Sequence, residues 1–221
     1  MTTRQALLTR LVGSIVGISR DRPVRVAVDG PDAAGKTTLA DELADALSGI
    51  RPVIRVSVDD YIRPAERRPQ SPGVPAAGYF DDNFDLAALI AGCLIPLGPG
   101  GDRNYRAPDG TSGRAPYDAV LLVDGVFLLQ ARLRPYWDVG IYLHIGPDEM
   151  LRRGVLRDRD QYGGESAARS MFETQFVPGW RAYQAQHDPA AAATIVIDHE
   201  EPSRPVIRPS SAGDGNVGWQ R

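Results

Sequence analysis

The segment Gly30-Pro31-Asp32-Ala33-Ala34-Gly35-Lys36-Thr37 fits the pattern G-x-x-x-x-G-K-[ST] in full. Each part of that pattern has a chemical use. Glycines let the backbone curl so that successive N–H groups point inward at phosphate oxygens, and a helix opening there adds its free N-terminal donors and positive dipole end. A lysine at the sixth following position supplies a compact point charge to β- and γ-phosphates, where a planar guanidinium fits poorly. The Thr37 hydroxyl, followed by Thr38, is the expected magnesium ligand. The competing reading is an ordinary glycine turn, and residue usage argues against it. The chain has 24 arginines and a single lysine, Lys36. A coding bias that exchanges lysine for arginine leaves lysine only by chance or where arginine fails, and this one stands inside the motif.

Phosphoryl transfer also needs a carboxylate near the acceptor hydroxyl and another near the magnesium, because it depends on positioning and charge neutralisation. Two acidic positions follow apolar runs. Asp59 and Asp60 come after VIRVSV, and Asp124 comes after AVLLV and before Gly125. At the carboxyl ends of parallel strands such residues face a ligand crevice. The alternative for Asp59 or Asp60 is a helix cap or turn residue.

The elements that must position these groups are legible as periodicities. Residues 4–18 space apolar side chains at helical intervals. VRVAV at 24–28 runs directly into the glycine motif and then into an alanine- and leucine-rich helix, giving strand, loop, helix. Strands are expected at 53–58, 119–123, 139–145 and 194–198, and helices at 84–94, 148–159 and 165–186, with Gly163-Gly164 as a hinge. The Gly/Pro/Asp-dense stretch 98–116 reads as an excursion. Strands alternating with helices predict an α/β fold, a P-loop parallel sheet wrapped by helices on both faces. We read residues 1–208 as one kinase domain with a lid at about 151–166, and 209–221 as a tail too poor in apolar residues to order itself.

Composition bounds the class. With 43% hydrophobic and 24% charged residues the chain is globular in type, and no apolar run approaches the roughly 20 residues that span a bilayer. The N-terminus lacks the features of a signal peptide, so a soluble cytosolic protein is expected. A net charge of −3 gives no basic excess for nucleic acid, and a small-molecule partner is expected instead of nucleic acid or membrane. The sequence leaves a homo-oligomer open. Cys93 and His144 read as packing residues, and His187 and His199 lack metal-ligand spacing.

The ordered set VDGPDAAGKTTLADELA, SVDDYIRP, GYFDDNFD, LLVDGVFLL, LRRGVLRD and FVPGWRAY, from about residue 22 to 207, resembles the uridine kinase family within the group that includes phosphoribulokinase and bacterial pantothenate kinase. The resemblance implies ATP and Mg2+ as cofactors and a nucleoside 5′-hydroxyl as acceptor. It implies Asp59 as the base, Tyr61 beside it, and Asp124 with Thr37 at the metal. It places an arginine-bearing lid helix at 151–160, where Arg153 and Arg157, four apart, share a face and reach phosphates. A solvated arginine face paired with Asp158 or Asp160 is the alternative. Tyr79 and Asp81 fall where the family binds ribose hydroxyls, and Tyr183 follows the lid as a further acceptor-side candidate. Two departures stand out. The segment RNYRAPDGTSGRAPY offers Tyr105 but no histidine against a base, and Gly154 takes a lid position where relatives carry arginine. A kinase of another small alcohol, such as pantothenate or a sugar phosphate, and an ATP-binding regulator that transfers nothing remain alternatives. A guanine-specific switch is disfavoured, since the only lysine is used in the loop.

Overall fold

A computed structural model describes residues 3–64, 66 and 83–209. Six strands form one sheet in the order β2-β5-β1-β6-β7-β8, where β1 is Val24–Asp29, β2 Val53–Ser57, β5 Val120–Asp124, β6 Val139–His144, β7 Ile195–Asp198 and β8 Val206–Arg208. The first five of these in spatial order run parallel, and β8 closes the edge antiparallel to β7. The parallel sheet wrapped by helices is as expected, and β8 adds an antiparallel edge of the kind that mixed sheets commonly carry.

The central strands are apolar on both faces because both are covered, and their period-two alternation divides the core. Val26, Val28, Val120, Leu122, Ile141 and Leu143 point to one side. There they meet Leu7, Leu11 and Ile15 of α1 (Thr3–Val16) and Leu39, Leu43 and Leu47 of α2 (Lys36–Ser48). Ala27, Leu121 and Val123 point to the other side, with Ile54 and Val56 of β2. That side is covered by α3 (Leu86–Leu89), which continues as a π-helical turn at Ile90–Leu94. The expected excursion contains a short hairpin, β3 (Asn104–Arg106) paired antiparallel with β4 (Ser112–Arg114), which the glycine-rich sequence had hidden.

The stretch expected as a lid is helical: α4 (Pro147–Asp158), then a turn through Gly163 and Gly164 at positive φ, then α5 (Glu165–Met171). A π-helical segment at Phe172–Phe176 joins α5 to α6 (Val177–His187), and α7 (Pro189–Ala192) leads to β7. Gly154 now has a physical reason. A Cβ there would lie 1.9 Å from Cζ of Phe172, so α4 and the following helix cross at a contact that admits no side chain. The glycine that departs from the relatives' arginine is a packing requirement of this chain.

Among the described residues, no helix is long and apolar enough to cross a membrane.

Candidate active site

The glycine motif forms the loop between β1 and α2, at the carboxyl edge of the sheet. Gly35 precedes α2 at φ 90°, a conformation that disfavours any side chain, and the first helical bond runs from Leu39 N to the Gly35 carbonyl. A Cβ on Gly30 would approach the Leu143 carbonyl to 2.6 Å. Within the loop the Lys36 ammonium donates to the Pro31 carbonyl at 2.7 Å, so the cation is held over the concave backbone. Ala33 also adopts positive φ, 58°.

Two residues that sequence reasoning missed hold this loop. Asp29, the last residue of β1, is fully buried. Its Oδ1 accepts from Gly30 N at 2.7 Å, and its Oδ2 accepts from Leu129 N at 2.8 Å and from the Tyr183 hydroxyl at 2.6 Å. Burial pushes its carboxyl up to about 6, against the opposing pull of Tyr183, Leu129, Gly30 and the Lys36 charge. The second is His199, just past β7 and buried. Its Nδ1 lies 2.7 Å from the Ala34 carbonyl and its Nε2 lies 2.6 Å from the Arg4 guanidinium. Because Arg4 has only donors to offer, Nε2 accepts and Nδ1–H donates to the loop, which fixes the neutral tautomer. Burial lowers the His199 basicity in the same direction. A carboxylate ending the strand directly before the glycine motif was the available sign for Asp29; for His199 the sequence carried none.

Thr37 and Asp124, the two residues expected at a metal, lie together. The Thr37 hydroxyl donates to Asp124 Oδ2 at 2.6 Å, and the other carboxylate oxygen accepts from Arg55 of β2 at 2.7 Å. Asp124 is buried and Arg55 half-buried. Among the described residues no cluster of three or more His, Cys, Asp or Glu can hold a metal alone. A hydroxyl and a carboxylate converging beside a phosphate loop fit a hard cation that takes its remaining oxygens from phosphates and water.

Asp59 opens the short 3₁₀ turn after β2, with Ser57 Oγ accepting from its backbone N–H. Its side chain is exposed at the mouth of the cleft, yet close enough to Lys36, Asp124, Asp32 and Arg157 to feel each charge. Desolvation raises its pKa most, Lys36 opposes this, and the Asp124 and Asp32 charges add to it. Asp60 is also exposed. Arg157 faces the same group of charges but forks onto Asp158 at 2.6 and 2.8 Å. The structure thus has the paired alternative, with Asp32 and Asp59 close enough for their charges to act on the same guanidinium. Arg153, one turn earlier, is engaged elsewhere: it pairs with Glu149 and donates to the carbonyls of His199 and Glu200, bracing the strand end behind the loop.

Two tyrosine assignments need correction. Tyr61 is buried in the second core cluster with its hydroxyl 3.5 Å from Cys93 Sγ, because the turn after β2 directs it inward. Tyr183 is buried as well, edge-on to Phe127 at 5.0 Å between centroids, and its hydroxyl serves Asp29 instead of an acceptor. Tyr105 lies half-buried on the hairpin, packed toward the same cluster. Tyr79 and Asp81 lie outside the described residues.

A mostly parallel sheet with this loop after β1, its following helix, and acids at the end of β5 and just past β2 defines a P-loop α/β fold. No family model matches the chain. It is 28% identical over 151 residues to uridine-cytidine kinase B of Dictyostelium discoideum, covering 64% of this chain. That match spans 60% of the relative's length, less than two thirds of it. A uridine kinase of Limosilactobacillus reuteri is 27% identical over 64% of this chain and 68% of its own. A structure described as a possible uridine kinase from Bacillus stearothermophilus superposes with a TM-score of 0.65 at 17% identity, covering 87% of this chain and 97% of that one. Over 64% of its length the chain is thus similar to uridine kinases, and the structural likeness, at 17% identity, shows a shared fold.

Proposed function

We propose that this protein transfers the γ-phosphoryl group of ATP to the hydroxyl of a small metabolite, with a nucleoside 5′-hydroxyl as the leading acceptor. The observation that carries the reading is the convergence of Lys36, the Thr37–Asp124 pair and Asp59 at the carboxyl ends of β1, β5 and β2. The backbone of residues 30–37 cradles the β- and γ-phosphates, and Lys36 exchanges its loop carbonyl for phosphate oxygens. Thr37 and Asp124 would hold Mg2+, which offsets the charge of the transferring group when bound. Asp59 orients the acceptor hydroxyl and takes its proton, and its raised pKa makes it a stronger base than an ordinary carboxylate. Arg157, forked onto Asp158, adds positive charge to the field around Asp32 and Asp59 from α4. The named activities of the curated relatives support a kinase, and nucleoside preference is the finer part of the proposal.

The buried orientation of Tyr61 favours a second reading, in which the acceptor is a smaller alcohol. That ring is unavailable to stack on a base, and Tyr105 packs toward the core. The test is ADP production with Mg2+ and ATP across uridine, cytidine, adenosine, guanosine, pantothenate and ribulose 5-phosphate. Stimulation by a pyrimidine nucleoside that disappears in Asp59→Asn supports the first reading. Stimulation confined to a non-nucleoside supports the second. Nucleotide binding with no stimulation by any acceptor would leave a non-catalytic ATP-binding protein.

A further inference from the structure

Arg55 brings a permanent positive charge to a place where a dication is expected. Its Nη1 donates to Asp124 Oδ1 at 2.7 Å and to the Val56 carbonyl at 2.8 Å, while its Nε donates to Asp41 of α2 at 3.1 Å. The guanidinium therefore bridges α2, β2 and the tip of β5, one helical turn below Thr37. The other oxygen of Asp124 is taken by the Thr37 hydroxyl. The charge of the only carboxylate in the metal-proximal pair is thus offset before any metal arrives. Arginine cannot deprotonate to relieve that opposition. The charge contributes to holding the buried Asp124 in place, and it also repels a second cation approaching the same carboxylate.

We propose that Arg55 is a positioning residue that sets the divalent cation affinity of this site, keeping Asp124 in one-oxygen engagement so that the cation binds only together with the phosphates of the nucleotide. The proposal rests on the kinase reading above. The free protein then holds a divalent ion poorly, and the negative charge of the nucleotide is what makes the site competent. The exposed Asp41 is the outer anchor that draws part of the guanidinium's charge away from Asp124.

The test is Mn2+ binding, read by electron paramagnetic resonance, to the full chain with and without saturating ADP. Wild type, Arg55→Gln, Arg55→Lys and Asp41→Asn are compared, with thermal unfolding run in parallel. Arg55→Gln removes the charge while retaining a donor, and is expected to tighten Mn2+ in the ADP complex at least about fivefold and to give measurable binding without ADP. Arg55→Lys keeps the charge and is expected to stay within about twofold of wild type. Asp41→Asn shifts the whole guanidinium onto Asp124 and is expected to weaken Mn2+ about twofold, which reads the idea even if Arg55→Gln does not fold. Equal Mn2+ affinity in all four proteins, or weaker binding in Arg55→Gln, would overturn the role of Arg55 and leave the kinase reading standing. Absence of Mn2+ binding to every ADP complex would overturn both.

Discussion

On the phosphate side of the cleft the loop is held from three directions. Asp29 fastens its entry to β1, to Leu129 and to Tyr183; His199 fastens its middle from β7; and Arg153 fastens the carbonyl of His199 in turn. Across the cleft, Asp59 stands exposed on a single 3₁₀ turn, and the tyrosines expected beside it are turned into the core. The contrast follows from chemistry. Phosphate is bound by backbone N–H groups, whose directions must be fixed before the ligand arrives. An acceptor hydroxyl needs one well-placed carboxylate, and the rest of that surface is free to vary with the acceptor.

The most severe way to test the comparison is to strike the fixed side at its cation. Lys36→Met is expected to reduce kcat by about 1,000-fold, measured as ADP formation at saturating acceptor, because no second lysine exists and the nearby arginines are committed to Asp124, Asp158 and Glu149. A loss of less than tenfold would mean that the lysine does not bear on the transferring group. On the open side, Asp59→Asn is expected to lower kcat by about 100-fold with ADP affinity unchanged. The raised pKa gives this prediction a sign in pH. Below it the carboxyl is protonated and cannot accept the hydroxyl proton, so wild-type kcat/KM rises with pH through a limb lying above the ordinary carboxylate range near about 4. That limb is expected to vanish in Asp59→Asn. Its persistence would place the base elsewhere, Asp60 being the adjacent candidate.

Gly154→Ala asks whether the fixed side depends on close helix packing. The new Cβ would overlap the Phe172 ring, so unfolding in urea is expected to show a loss of about 2 kcal/mol. Because Arg153 on the same helix braces the strand end behind the loop, KM for ATP should rise while KM for the acceptor does not.

The same contrast explains what the sequence made legible. A phosphate loop needs glycine where φ is positive or backbones touch, and it needs a lysine and a hydroxyl at set distances, so Gly30, Gly35, Lys36 and Thr37 could be read directly. The strand boundaries followed for a related reason: central strands covered on both faces must be apolar throughout, as 120–123 are. The supports were harder to read. His199 reaches Ala34 across 165 residues, and Tyr183 reaches Asp29 across 154, contacts made by topology with no local pattern. The hairpin at 104–114 was hidden because its strands are three residues long and largely exposed, lacking the apolar alternation that marks a strand. Tyr61 was misread because a tyrosine beside an acid is equally suited to a ligand and to a core, and only the direction of the turn decides between them.

The smallest expected effect comes from Tyr183→Phe, which separates the fixing of the loop from the packing of the ring. The pKa of Asp29 is raised to about 6, against 3.8 for an unperturbed aspartate, so the folded protein holds this proton more tightly than the unfolded chain. The contribution of Asp29 to stability is therefore fully present below about pH 4 and is lost as pH rises through about 6, a change of about 3 kcal/mol. The Tyr183 hydroxyl limits that loss, because its donated bond favours the ionised carboxylate. Removing it should raise the Asp29 pKa further and cost about 1.5 kcal/mol at pH 8, where the carboxylate must otherwise be ionised with one donor fewer. At pH 5 wild-type Asp29 is already largely protonated, so the cost should be clearly smaller. Urea denaturation of both proteins at the two pH values gives the comparison. An equal loss at pH 5 and pH 8 would show that the hydroxyl's contribution does not depend on the charge of Asp29, and no loss at either pH would show that the tyrosine acts through its ring, with the loop entry fixed by the backbone donors of Gly30 and Leu129 alone.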